Sequence, residues 1–446
     1  MRIIIVGAGT VGEQIAISLL EEGHDVIIIE RDEKRAKYIE EILDTMVFTG
    51  NGANISTLNA AGVKEADILI SVTDSDEVNM ISSLIANKLG AKKKIIRIKD
   101  QDYLSNLKAF KEDLGIDFII NPANAAADQI EKLILNPFAS SIATFAEGKI
   151  SMVKVRLRED FKIINKKIRE IEFPGSLLIG AINRDDNIII PKGEEVLLPG
   201  DGVYILGKTD EIKELHTIFG KREGKILKVI IVGGSDIGTR LAQNLEKYDI
   251  EIKLIEKSPE RSNKVASILE KTLVINGDGT DKELLKREGI ELTDSFVSLT
   301  KNDEDNLVFS LLAKKLGAKK VIAKVTKPTY SPILETIGID AAISPRLITA
   351  SYILSFIRKS KILNLTLIKE GEAEIVEVEV PENKVINNIS LGKLKLPKDM
   401  LIATIIRDKE VIIPHGEDIL LPKDKVIIIT LKKNIKKIEN IFRKRV

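Results

Sequence analysis

Arg2-Ile3-Ile4-Ile5-Val6-Gly7-Ala8-Gly9-Thr10-Val11-Gly12 opens the chain with an apolar run, three glycines spaced G-x-G-x-x-G and the first residues of a helical pattern. The branched apolar run reads as a parallel strand buried on both faces. Gly7 permits the tight turn out of that strand, Gly9 lets the backbone approach a pyrophosphate, and Gly12 lets the following helix pack closely on the sheet. The helix that starts here points unpaired amides and the positive end of its dipole at the same spot. Glu30 stands 23 residues after Gly7, at the end of Val26-Ile27-Ile28-Ile29, with Arg31 beside it. A carboxylate there accepts hydrogen bonds from an adenosine ribose and repels a 2′-phosphate, favouring NAD, ATP or ADP over NADP. A glycine triplet alone is a weak signal, but strand, glycines, helix, second strand and acid in register are specific.

The whole pattern recurs. Lys228-Val229-Ile230-Ile231-Val232 leads into Gly233-Gly234-Ser235-Asp236-Ile237-Gly238, and Glu256 lies as far beyond Gly233 as Glu30 beyond Gly7. Thr73-Asp74-Ser75-Asp76-Glu77-Val78-Asn79 returns as Thr300-Lys301-Asn302-Asp303-Glu304-Asp305-Asn306, and the stretch from Leu178 to Pro199 returns from Leu401 to Pro422. A period of about half the chain marks tandem duplication of a two-part module, not a short-period solenoid. A duplicated binding fold fits a device that senses ligands better than a single catalytic centre.

The second copy departs from the first where the ligand would sit. Ser235 replaces the middle glycine, and Asp236 adds a negative charge beside it. Weaker or altered binding is expected there. Four further features are candidates. Gly50-Asn51-Gly52 and Gly277-Asp278-Gly279 follow the third strand of each copy, where a loop reaches an adenine edge; plain turn chemistry is the alternative. Thr73 and Thr300 end the fourth strands at the sheet's carboxyl edge, which faces the ligand crevice in such folds. Arg97 and Lys324 sit on the fifth strands, where a cation complements phosphate, with an ordinary surface charge as the competing reading. The acidic run Asp74-Ser75-Asp76-Glu77 reads as a helix cap, with a cation site as the lesser alternative.

Apolar strands begin near Ile3, Val26, Met46, Ile68, Ile95 and Phe118, separated by helical patterns. The alternation predicts an α/β fold: a Rossmann-like, doubly wound parallel sheet in each copy. Asn121-Pro122 and Ser344-Pro345 then start helices that are apolar on more than one face and are expected to bridge subdomains or subunits. Beyond them, strands at Ile150–Val155 and Glu374–Val380, and polar hairpins at 183–187 and 407–409, mark small α+β subdomains. The expected units are Rossmann-like domains at 1–122 and 226–344 and bridging-helix-plus-C-terminal subdomains at 123–220 and 345–446, with Phe219 to Lys225 as the seam.

Composition excludes several classes. With 68 Lys+Arg against 67 Asp+Glu, the formal charge is +1, so there is no basic field to gather nucleic acid. Absence of cysteine removes disulfides, thiolate nucleophiles and cysteine zinc sites. His24, His216 and His415 are scattered and read as ordinary surface or core residues. No stretch reaches the roughly 18 apolar residues of a membrane helix, and no signal peptide precedes the first strand. The expectation is a cytosolic protein that reaches a membrane only through a partner. An NAD-dependent oxidoreductase would need a substrate domain presenting an acid or base beside the nicotinamide; the small strand-rich domains here do not suggest one. A nucleotide-sensing scaffold for another transporter is a further alternative.

GAGTVG with an acid after the second strand, a relaxed second glycine turn, Gly-Asn/Asp-Gly loops and an Arg-Asp hairpin closing on IIP.GE..LLP.D together resemble the TrkA family, built of tandem RCK, or KTN-type, NAD-binding units. The resemblance covers essentially the whole chain. It implies a peripheral cytoplasmic regulatory subunit of a Trk-type potassium uptake system that gates a membrane potassium channel or transporter. NAD(H) is the implied ligand, with ATP and ADP as alternatives, and a homotetrameric ring the implied assembly. On this resemblance Gly7, Gly9, Gly12 and Glu30 carry the dinucleotide contacts, while Gly233, Gly238 and Glu256 keep part of them.

Overall fold

The computed structural model describes residues 1–185, 187–219, 226–327, 330, 334, 337–358, 364–368, 373–382, 386–394, 396–408 and 410–442. In the first copy six parallel strands, β1 Arg2–Val6, β2 Asp25–Glu30, β3 Met46–Thr49, β4 Ile68–Ser71, β5 Lys93–Arg97 and β6 Phe118–Ile120, form one sheet in the order 3-2-1-4-5-6. The helices between them are α1 Thr10–Glu21, α2 Glu33–Ile42, α3 Ile55–Ala60, α4 Asp76–Leu89 and α5 Gln101–Phe110. Strand order reverses between β1 and β4, so the carboxyl ends of these two strands diverge into opposite crossovers and leave a crevice. Ile3, Ile4, Ile5 and all of β4 are fully buried, as a strand covered by helices on both faces must be.

The sheet hands over to α6 Pro122–Leu135, capped by Asn121 with proline in its first turn. A five-stranded antiparallel sheet follows, of β7 Ser141–Phe145, β8 Ile150–Arg156, β9 Leu177–Arg184, β10 Asn187–Ile189 and β11 Gly202–Lys208 in the order 10-9-11-8-7, with α7 Thr209–Ile212 after it. The second copy repeats the plan. Strands β12 Lys228–Val232, β13 Glu251–Glu256, β14 Leu273–Asn276, β15 Ser295–Ser298, β16 Lys320–Lys324 and β17 Ala341–Ile343 alternate with α8 Asp236–Leu245, α9 Pro259–Ala266, α10 Lys282–Arg287 and α11 Asp303–Lys315. Then come α12 Pro345–Arg358, the strands β18 Asn364–Ile368, β19 Ala373–Glu379, β20 Met400–Arg407, β21 Glu410–Ile412 and β22 Lys425–Leu431, and α13 Ile435–Phe442. The fold is therefore two tandem Rossmann-like α/β domains, each followed by a small α+β subdomain. Edge strands β7 and β18 were not anticipated; β7 alternates exposed and buried residues over only five positions, too short a signal against its surroundings.

Each hairpin between β9 and β10 or β20 and β21 turns through an aspartate in the left-handed region, Asp185 (φ +46°) and Asp408 (φ +54°). Asp186 and Lys409 of the expected turns lie outside the described residues, as do residues 220–225 of the expected seam. The arginine before each turn has a structural task. Arg184 grips the buried Asp201 with Nε and Nη2, both at 2.8 Å, and Arg407 grips Asp424 at 3.0 and 2.9 Å.

The bridging helices are exchanged between the copies. On α6, Ala126, Ala127, Ile130 and Leu133 share a core with Val229, Ile231, Leu241 and Leu245 of the second Rossmann-like domain. Reciprocally, Ala350, Ile353, Leu354 and Ile357 on α12 share a core with Val11, Ile15 and Leu19 on α1. A buried ammonium reinforces the first exchange: Lys320 Nζ donates to the carbonyl oxygens of Leu133 (2.6 Å), Asn136 (3.1 Å) and Ala139 (2.7 Å). Helix carbonyls at a C-terminus lack partners within the helix, and here the other half of the chain supplies one. The C-terminal sheets also face each other, through Phe145, Met152, Tyr204, Ile375, Ile427 and Ile429.

Candidate nucleotide site

A cleft of about 590 Å³ opens at the carboxyl ends of β1 and β4. Val6, Gly7, Gly9, Thr10, Val11, Glu30, Arg31, Asn51, Gly52, Thr73 and Arg97 all line it, so most of the residues anticipated for the first copy converge. Ala8 and Gly12 lie behind the wall. The Ala8 amide donates to Glu30 Oε2 (2.7 Å), and a Cβ on Gly12 would stand 2.0 Å from the Gly7 carbonyl oxygen. Gly7 itself has φ +101° and is pressed against the Thr73 backbone. These two glycines shape the turn.

Gly9 is different. Its backbone is extended (φ −64°, ψ 178°), a conformation any residue adopts, and a Cβ there would meet nothing within 4 Å. Nothing in the protein requires a glycine at this position; the space beyond it belongs to the cleft. Gly9 is also the N-cap of α1 and offers no side-chain hydrogen bond, so the first amides of α1 remain without an intrahelical or capping partner. An uncapped helix start facing a cavity attracts anions.

Glu30 sits at the cleft wall with Oε2 on the Ala8 amide and Oε1 on the Asp32 amide (2.9 Å). An ionised carboxylate has about four acceptor positions, so two bonds from the backbone pin it and leave capacity for a ribose diol. Thr73 is held by Asn79, whose Oδ1 accepts from the Thr73 amide (2.9 Å) and hydroxyl (2.7 Å) and whose Nδ2 donates to the carbonyls of Thr73 (3.1 Å) and Arg97 (2.8 Å). This clamp ties the ends of β4 and β5 together. Arg97 is buried, donates to the Thr73 carbonyl and to Asp74 Oδ1 (2.8 Å), and keeps a buried Nε without a partner among the described residues. The Lys99 ammonium, with Arg97 behind it, holds the Asp74 carboxyl down at about 2. The acidic run is thus spoken for: Ser75 caps α4, and Asp76 accepts the amides of Lys99 and Asp100. Gly52 answers to packing, since a Cβ would come 2.1 Å from Val6 Cγ1.

Three polar cleft residues escaped the sequence reading. Asp32 caps α2. Arg35 donates Nε to the Ala8 carbonyl (2.8 Å) and pairs through Nη2 with Glu13. Its recurrence as Arg261, at the offset that relates the two glycine turns, was the available signal. Arg346 comes from the first turn of α12, in the other copy, and donates Nη1 to Thr10 Oγ1 (3.0 Å); no local pattern announces it.

The second copy has the same scaffold with its anion site filled by its own atoms. Gly233 (φ +105°) and Gly238 repeat the turn, Glu256 accepts from the Gly234 amide (2.7 Å), and Asn306 clamps Thr300. Yet Ser235 caps α8, its Oγ accepting from the Gly238 amide (3.3 Å) and donating to the Leu299 carbonyl (3.0 Å). Asp236 pairs with Arg261 (2.8 Å), and Ile237 packs towards the core. At the mouth Lys257, the equivalent of Arg31, pairs with Asp278 (2.8 Å), the equivalent of Asn51. That ammonium, helped by the Thr280 amide, holds the Asp278 carboxyl at about 2. Lys324 is half-buried at the end of β16, and burial pushes its ammonium down.

Comparison with known proteins follows the same division. The TrkA-N domain model matches residues 3–122 and 229–345, and the TrkA-C domain model matches 152–220 and 375–443. The chain is 39% identical to a Trk system potassium uptake protein TrkA homolog of Archaeoglobus fulgidus, over 99% of this chain and 100% of that one. It is 37% identical to TrkA homolog 1 of Methanosarcina mazei, with the same coverage, and 33% identical to TrkA of Haemophilus influenzae, covering 99% and 98%. Among solved structures, the GsuK RCK domain superposes with a TM-score of 0.63 at 18% identity, covering 100% of this chain and 95% of that one. The GsuK channel bound to NAD superposes at 0.61 and 17% identity, covering 100% and 79%; at this identity the likeness is one of fold.

Proposed function

We propose that this chain, which belongs to the TrkA family of Trk system potassium uptake proteins, is a non-enzymatic regulatory subunit of potassium transport that binds NAD(H) in its first Rossmann-like cleft. The observation that carries the ligand assignment is Gly9: an open, extended glycine at an uncapped helix start, with no requirement for glycine except the space in front of it. Phosphates at this place meet the free amides of α1, the adenosine ribose reaches Glu30, and Asn51 and Arg31 border the far end. The ligand sites are those of the first copy: Gly7, Gly9, Thr10, Val11, Glu30, Arg31, Asn51, Gly52, Thr73 and Arg97. ADP and ATP share the adenosine and compete for the same cleft. The second turn, from Gly233 to Gly238 with Glu256, Asp278 and Thr300, holds nucleotide weakly or not at all because Ser235, Arg261 and Lys257 satisfy its polar groups internally.

The partner is a membrane-embedded potassium channel or transporter subunit of the Trk type, in keeping with the names of the relatives. The chain works at the cytoplasmic face, attached through that subunit; among the described residues no helix is long and apolar enough to cross a membrane. Assembly into a homotetrameric ring places the cleft of each chain where a change of shape pulls on the pore. The test is potassium flux through the Trk-type membrane subunit in liposomes, with and without this chain and with NADH or ATP. The expected result is flux that depends on the chain and responds to nucleotide, with the response lost in Gly9→Asp. Flux indifferent to the chain refutes the regulatory role.

A further inference from the structure

Arg346 lines the first cleft although it belongs to the second copy, 336 residues from the Thr10 hydroxyl it contacts. It stands in the first turn of α12, exposed, immediately after Pro345. The rest of α12 is anchored on α1 by Ala350, Ile353, Leu354 and Ile357, so the guanidinium is carried to the start of α1 by a packed helix. Among the described residues its hydrogen-bond partner there is the neutral Thr10 hydroxyl. A guanidinium has five N–H donors, and among the described residues no carboxylate pairs with this one. Its charge is felt nearby: after burial, which dominates, Arg346 further disfavours the charged form of Lys324. Two other cleft arginines are engaged differently, Arg35 with Glu13 and Arg97 with Asp74, while Arg31, from the first copy itself, lines the wall beside Glu30. The equivalent place on α6, after Pro122, holds Ala123, so the first copy extends no such arm towards the second.

We propose that Arg346 is a phosphate-binding residue of the first cleft and that, by holding the bound nucleotide, it couples ligand to the packing of the second half against the first. This rests on the nucleotide reading given above and adds its mechanism of transmission. In the structure the guanidinium rests on a neutral hydroxyl. A phosphate at the start of α1 supplies the missing anion and a bidentate partner. The ligand is then shared between α1 of one copy and α12 of the other, and whatever arrangement of the two copies keeps them together is the one it selects.

The test is calorimetric titration of the full-length wild type, Gly9→Asp, Arg346→Ala and Arg346→Lys with NADH and with ATP, together with hydrogen exchange of α1 and α12 with and without NADH. The expected result is that Arg346→Ala weakens binding about ten- to a hundredfold, that Arg346→Lys falls between, and that NADH slows exchange in the first turn of α12 in the wild type but not in Arg346→Ala. The residue is exposed, so unchanged thermal melting of the apo variants is expected. Wild-type affinity in Arg346→Ala overturns the contact, and ligand-independent exchange in α12 of the wild type overturns the coupling; both leave the nucleotide reading standing if Gly9→Asp abolishes binding. Absence of nucleotide binding by the wild type overturns the nucleotide reading and this inference together.

Discussion

A side chain added at Gly9 enters the cleft without meeting protein within 4 Å, whereas one added at Gly12 strikes the Gly7 carbonyl oxygen at 2.0 Å, so two changes three residues apart should fail in opposite ways. Gly9→Asp is expected to keep its apo melting temperature within about 2 °C and lose nucleotide binding, since surface substitutions cost little. Gly12→Ala is expected to melt lower by about 5 °C or more, because overpacking against backbone costs about 1–3 kcal/mol; differential scanning fluorimetry of both settles the contrast. In the second copy, Lys257 holds the Asp278 carboxyl at about 2. A folded-state value below the ordinary carboxylate value of about 3.9 gives stability that is complete above about pH 4 and is lost as pH falls towards 2. Wild type and Asp278→Asn should therefore differ in stability above pH 4 and converge near pH 2 in an acid unfolding series. The glycine turn, Glu30, Thr73 and Arg97 were legible in sequence because strand, turn and acid keep fixed distances along the chain. The role of Ser235 as a helix cap was not, since a serine in a glycine's place reads only as obstruction until its hydrogen bonds are seen.

At the scale of elements, sequence periodicity showed that the helices after Asn121 and Ser344 are apolar on more than one face but not which domain they cover. Burial leaves a pattern in a helix; the identity of the partner does not. The structure exchanges them, α6 onto α8 and α12 onto α1, and this exchange packs the halves together. Lys320 is the polar fastener of the first exchange, with three carbonyls at 2.6–3.1 Å. Lys320→Met keeps the volume but takes their donor from the Leu133 and Ala139 carbonyls, each costing about 1–3 kcal/mol if left unsatisfied, while the Asn136 carbonyl keeps the Ala139 amide. Destabilisation of about 3 kcal/mol is expected in urea unfolding, with faster hydrogen exchange where α6 meets α8. An unchanged midpoint would mean that water satisfies the helix end and that apolar packing alone holds the halves. The arginine-to-aspartate grips of the hairpins belong at this scale too: the repeated R-D and LLP.D motifs were visible as repetition, but only the fold shows Arg184 on Asp201 and Arg407 on Asp424.

For the whole molecule, the duplicated plan yields two glycine turns furnished differently: the first opens on a cleft, the second meets its own Ser235, Arg261 and Lys257, and Arg346 reaches from the second copy to the first. A ligand shifts a gate only by binding its two shapes differently. Moving a two-state gate from mostly closed to mostly open takes about 5.5 kcal/mol of differential binding. Four clefts in a tetrameric ring would share this at about 1.4 kcal/mol each, roughly tenfold in affinity. The overall division into four parts was legible because it is written twice; the asymmetry between copies was half legible, in Ser235 and Asp236, and half hidden in tertiary contacts. The most direct measurement is calorimetric titration of the purified wild-type chain with NADH, read as sites per chain. One strong site, abolished by Gly9→Asp, is the predicted result; two equal sites, or binding that survives Gly9→Asp, would contradict it.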